Sequence, residues 1–161
     1  MCFMFMTIIF MLPIVYSLLN KDAERTVSRL IINEKYYLVT FAAFLILGCL
    51  TLQYEKLRKN QFSYYFMYFF TACCLLFCFF HPKEHCHVLY AILAFFSVVC
   101  WLFTNSKNDI FLTTMLFLQL ICSVYLYIGF NVSKMPNILI GEVVFLLIMF
   151  FSYSYIHVKN K

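Results

Sequence analysis

The sequence predicts an all-α protein, a polytopic transmembrane bundle of six helices that forms a single integral membrane domain over residues 1–161. Three observations carry this reading. Hydrophobic residues make up 65% of the chain and charged residues only 12%, which is too little polar surface to coat a soluble domain of this size. The apolar residues come in continuous runs, whereas a membrane β-barrel needs segments of about ten residues that alternate in and out. The charges gather in the short connectors between the runs.

The first span, about 2–19, is apolar throughout. It is long enough to cross a hydrocarbon core of about 30 Å at about 1.5 Å per helical residue. Pro13 predicts a kink within it. A signal peptide would occupy the same place, but this stretch offers neither a basic start nor a small-residue cleavage site, so it reads as a span. Residues 20–35 form the longest polar connector. Val27, Leu30 and Ile31 fall at helical spacing among Lys21, Asp22, Glu24, Arg25 and Arg29, the pattern of an amphipathic turn on the bilayer surface.

Span two, 36–53, opens with the interfacial pair Tyr36 and Tyr37 and stops at the basic knot of Lys56, Arg58 and Lys59. Span three, 63–80, is rich in aromatic rings and thiols. Span four, 88–103, follows so closely that the two must form an antiparallel hairpin. Span five, 110–130, is interrupted only by Thr113, Thr114, Gln119 and Ser123, and span six covers 138–156. With only 3 glycines in the chain, the helices are expected to pack through Ala42, Ala43, Ala91, Ala94, the serines and the cysteines. Cys49, Cys73, Cys74, Cys78, Cys100 and Cys122 fall inside apolar runs, where a thiol acts as a small hydrophobe rather than as part of a disulfide framework. Gln119, in mid-span, is expected to join helices by hydrogen bonding.

Six spans place both ends on one side. That side carries Lys56, Arg58, Lys59, Lys107, Lys159 and Lys161. Setting aside the long first connector, whose basic residues are offset by acids, the other side carries Lys83 and Lys134. The positive-inside rule then predicts cytoplasmic termini, in a bacterial inner membrane. Net charge is +5, but no basic face is present, so nucleic acid is not an expected partner.

The best functional candidate is the polar corner between spans three and four, where His81, Glu84, His85, Cys86 and His87 fall within a few residues. His81 and His85 would share a helix face at i, i+4, and His85 and His87 a strand side at i, i+2. With a thiol and a carboxylate beside them, a zinc or copper site is chemically open. The spacing matches no established metal motif. The competing reading is a set of polar residues at headgroup level, with His87 capping span four and Pro82 stopping span three. Glu142 is the carboxylate inside an apolar run. An intramembrane acid suggests a proton relay or a contact with a polar substrate, although about 6 Å of rise from Ile138 also fits the interface.

Tyr36–Tyr37, the basic stop after span two, His87 followed by Ala91 and then Phe95–Phe96, the exit Leu102–Phe103–Thr104, and Glu142 early in span six together resemble the six-span bacterial membrane proteins of the Frag/DRAM/Sfk-like superfamily. The likeness covers most of the chain from Tyr36 onward and implies six helices with cytoplasmic ends. The chain departs from that pattern in lacking an Arg–Asp pair in span two. It also has Ser152 and Tyr153 where span six is expected to carry a glycine and a tryptophan. The resemblance implies no activity.

No nucleophile–base pair, phosphate-binding glycine loop or cofactor motif is evident, and the connectors are too short for a catalytic domain. The expectation is a non-enzymatic multi-pass protein without a cofactor, acting through membrane lipid, a membrane-protein partner or a second copy of itself, with an immunity or defence role as one form. The alternative is a small transporter or metal-handling protein using the His81–His87 corner and Glu142. A third reading, a lipid-modifying enzyme with His87 as general base and Glu142 as its partner, requires both on the same membrane face.

Overall fold

Each apolar run winds into a helix because backbone N–H and C=O groups that have no water to bond must bond within their own segment. The computed structural model describes residues 37–58, 60–80, 84–131 and 138–159. Its elements are α1 (Tyr37–Leu57), α2 (Gln61–Phe77), α3 (His85–Asn105), α4 (Ile110–Asn131) and α5 (Ile138–Lys159). The described residues are all helix and short connectors, and the five helices lie where five of the six apolar spans were expected. The other expected span, 2–19, and the amphipathic turn after it lie outside the described residues.

Three helices are long and apolar enough to cross a membrane by length and composition, over His85–Asn105, Ile110–Gly129 and Ile140–Lys159. They make this chain a candidate membrane protein but do not support a count of six spans. At 17 residues, α2 rises about 25 Å, short of a ~30 Å hydrocarbon core. The predicted boundaries also shift. Tyr54, Glu55, Lys56 and Leu57, expected in the polar stop, continue α1 for another turn.

Local chemistry starts and ends these helices. The Asn60 side chain accepts from the Ser63 N–H at 3.2 Å and caps α2, as a short polar side chain before a helix does. Asp109 caps α4 in the same way, its Oδ1 accepting from Leu112 N–H at 3.0 Å. Between α3 and α4 the chain reverses through Asn108 at φ 60°, a left-handed conformation that asparagine tolerates better than other residues with a Cβ.

α3 is central. It packs against α2 and α4, and it reaches α5 through Phe95 on Phe145 (4.6 Å between ring centres) and Trp101 stacked on Tyr153 (5.4 Å). These two pairs fix α3 and α5 as parallel and in register. The core around them contains Met67, Val98, Leu102 and Leu126. Ala91, Ala94, Ser97 and Ser152 are buried as the packing expectation required, whereas Ala42 and Cys49 are exposed.

The glycines matter more than their number suggested. A Cβ on Gly48 would fall inside the Thr71 side chain, and one on Gly141 would lie 2.8 Å from Leu126 Cδ2. Both positions permit close approach of neighbouring helices, the usual role of small residues in a membrane bundle.

Candidate functional site

The histidine corner does not close into a single site among the described residues. α3 begins at His85, with Glu84 as an extended N-cap residue, so its helix does not reach back to position 81, and His81 lies outside the described residues. Because His85 and His87 are both in the first turn of a helix, they point to different sides. The shared strand side expected for them is not formed. Glu84, His85 and Cys86 are exposed, whereas His87 is buried at 2% exposure. Its Nδ1 lies 3.1 Å from the Phe80 carbonyl oxygen. A carbonyl only accepts, so this contact places the ring proton on Nδ1. His87 thus ties the start of α3 to the end of the α2 segment, where Phe80 also stacks on Tyr90. Among the described residues no group of three or more His, Cys, Asp or Glu side chains is arranged to hold a metal ion.

Glu142, in the second turn of α5, is buried at 8% exposure. The parallel register of α3 and α5 sets it at the same end of the bundle as His87 and about a turn deeper.

The densest polar constellation lies at the opposite end. Glu55, in the last turn of α1, is fully buried. Its carboxylate accepts from Ser63 Oγ of α2, from Trp101 Nε1 of α3 at 3.2 Å, and from Arg58 Nη1 at 3.1 and 3.2 Å. Arg58 Nη2 donates to Asn105 Oδ1 at 2.7 Å, and Asn105 Nδ2 donates to Ser63 Oγ at 3.1 Å and to the Trp101 carbonyl at 2.7 Å. Three helices are therefore joined through one carboxylate, whose charge is matched by Arg58 and whose oxygens are filled by donors. That is the condition under which a buried ion can be tolerated. Beside it, Tyr153 of α5 donates to the Thr51 carbonyl of α1 at 3.2 Å, and Tyr54 packs against Tyr153 and His157.

A second ionic tie lies at the same end. Lys159 Nζ and Tyr155 Oη both donate to Asp109 Oδ2, the tyrosine at 3.0 Å. The bond from Lys159 and the Leu112 N–H at its other oxygen hold the Asp109 carboxyl down to about 2.

Reading the sequence as a basic stop missed the Glu55 site. Its available signal was the Glu55–Arg58 spacing of one helical turn, with Asn60, Ser63 and Asn105 at the ends of adjacent runs. The expectation for Gln119 is also corrected. It is fully buried, but neither side-chain polar atom has a hydrogen-bond partner among the described residues, so it does not bond helices together there.

No family model, curated protein or solved structure matches the chain. The chemistry of these groups therefore rests on their geometry alone.

Proposed function

We propose that this chain is a multi-pass bacterial inner-membrane protein, crossing six times with both termini cytoplasmic, that acts without catalysis through lipid or a membrane partner. A role in immunity or defence is one form this takes, and kinship with the Frag/DRAM/Sfk-like proteins belongs to the same reading. The observation that carries it is the apolar exterior. Leu45, Phe69, Phe96, Phe117, Ile121 and Phe151 stand exposed on all five described helices, and surface of this kind is stable only when lipid or another protein covers it. The buried acids Glu55 and Asp109 are engaged in ties between helices, a structural use rather than a reactive one. Crosslinking in native membranes, followed by mass measurement of the detergent-purified protein, tests the proposal. A covalent adduct with a partner, a second copy or a photoreactive lipid is expected. A strictly monomeric protein that captures none of these and turns over a substrate overturns it.

A second reading, a small transporter or metal-handling protein, is favoured by one observation. His87 and Glu142 are both buried at the same end of parallel helices, as a polar pathway between α3 and α5 would need. It predicts about one zinc or copper ion per purified chain, lost in the His87→Ala/Glu142→Ala variant. Metal content below about one-tenth per chain after mild purification removes the metal form, because imidazole–thiolate sites hold such ions tightly.

A further inference from the structure

Among the described residues, the buried side-chain polar atoms without a partner are the amide nitrogen and oxygen of Gln119 and the hydroxyl of Ser154, and of these two residues Gln119 is the one that is fully buried. An amide taken out of water without compensation costs about 2–7 kcal/mol in an apolar medium. Leucine or methionine would fill a similar volume at no such cost.

The position can be fixed from the helix registers. Cys122 Sγ lies 3.2 Å from the Gly141 carbonyl, and the Phe111 ring lies 4.4 Å from that of Tyr155. This antiparallel register sets Gln119 opposite the turn of α5 that carries Phe145, which itself packs on Phe95 of α3. Gln119 is therefore at the junction of α3, α4 and α5, about 13 Å of helix rise from the start of α4. Gln119 is 0% exposed, so bulk solvent does not reach it.

The Gln119 amide offers donor and acceptor together and no counter-charge. That chemistry selects a small neutral molecule able both to give and to take hydrogen bonds. Water meets it, and a buried water typically finds two to four polar partners.

We propose that Gln119, at the junction of α3, α4 and α5, is an internal hydration site that holds water at mid-depth in the bundle. The inference stands apart from the proposed function, since it concerns the interior of the fold and neither of its ends.

Hydroxyl-radical footprinting of the detergent-purified full chain in ¹⁸O-labelled water tests it, because radicals made from a resident water attack the side chains around it. Cys122, one turn from Gln119, and Cys74 on α2 are both buried thiols, at 7% and 5% exposure, and form a matched pair. Cys122 is expected to take up label at least threefold faster than Cys74 in the parent chain, and the ratio is expected to fall to about one in Gln119→Met. A ratio near one in the parent chain overturns the proposal, and so does a high ratio that persists in Gln119→Met. If Gln119→Met does not fold, Gln119→Leu replaces it, and should neither fold the parent ratio alone decides.

Discussion

The indole N–H of Trp101 donates to Glu55 Oε1 at 3.2 Å across 46 positions of sequence, joining the end of α3 to the end of α1. Glu55 is therefore the shared acceptor of three helices. Glu55→Ala is expected to cost about 3–5 kcal/mol, because it leaves the Arg58 cation and the Trp101 and Ser63 donors without their acceptor. Glu55→Gln keeps the shape but removes the charge and should lose less. Thermal unfolding in detergent ranks the two. Equal midpoints for Glu55→Ala and the parent chain would mean that the network carries no stability.

Asp109 makes a pH prediction. Its carboxyl is lowered from the ordinary 3.8 to about 2 in the folded protein, so its bonds to Lys159 and Leu112 are fully present above about pH 4 and fade as the pH falls toward 2. The difference in unfolding temperature between the parent chain and Asp109→Asn should therefore be constant from neutral pH down to about 4 and shrink below it. A difference that grows toward low pH contradicts the assignment.

Gly48→Ala separates helix propensity from packing. Alanine is the better helix former by about 1 kcal/mol, but here its methyl would enter the space of Thr71, whose hydroxyl is held on the Met67 carbonyl at 2.9 Å. Overpacking of this kind costs about 1–3 kcal/mol, so a net loss is expected. Gly48→Ala/Thr71→Ala should recover most of it, as read from the melting midpoint.

The histidines divide by burial. His85→Ala should change stability by less than about 0.5 kcal/mol, as exposed substitutions do, and His87→Ala should cost about 1–3 kcal/mol through the orphaned Phe80 carbonyl and the cavity left behind. Denaturant unfolding of both variants gives the comparison.

Orientation is open to a labelling experiment. In a background with other thiols removed, Cys86 should react with an impermeant maleimide in intact cells, and Lys107→Cys only after lysis. Reversed labelling inverts the bundle in the membrane. Labelling of both from outside means that α3 does not cross.

Much of the architecture was legible in the sequence because uninterrupted apolar runs leave a membrane segment no alternative to a helix, and α4 begins at the predicted residue. The ends were less legible. Tyr54–Glu55–Lys56–Leu57 reads as a polar stop in one dimension, and only the arrival of Trp101, Ser63 and Asn105 from distant positions makes burial of Glu55 tolerable. The candidate corner failed in a related way. Spacing along the chain suggested shared faces for His85 and His87, but the helix start at His85 turned one outward and the other inward. Gln119 was correctly placed in mid-span. Its lack of a protein partner depends on what the neighbouring helices present at that depth, and no local pattern encodes that.

The inward turn of Arg58 bears on how the protein enters its membrane. Insertion machinery responds to cations while the helices are still separate, and at that stage neither Glu55–Arg58 with its network nor Lys159–Asp109 has been assembled. Once the bundle closes, Arg58 is committed to Glu55 and Asn105, and Lys159 to Asp109. In the proposed membrane orientation, cations that steer insertion while the helices are separate are thus tied to carboxylates once the bundle closes, Arg58 inside it and Lys159 at its surface, and Lys56, Lys107 and Lys159 are the exposed described cations at that end.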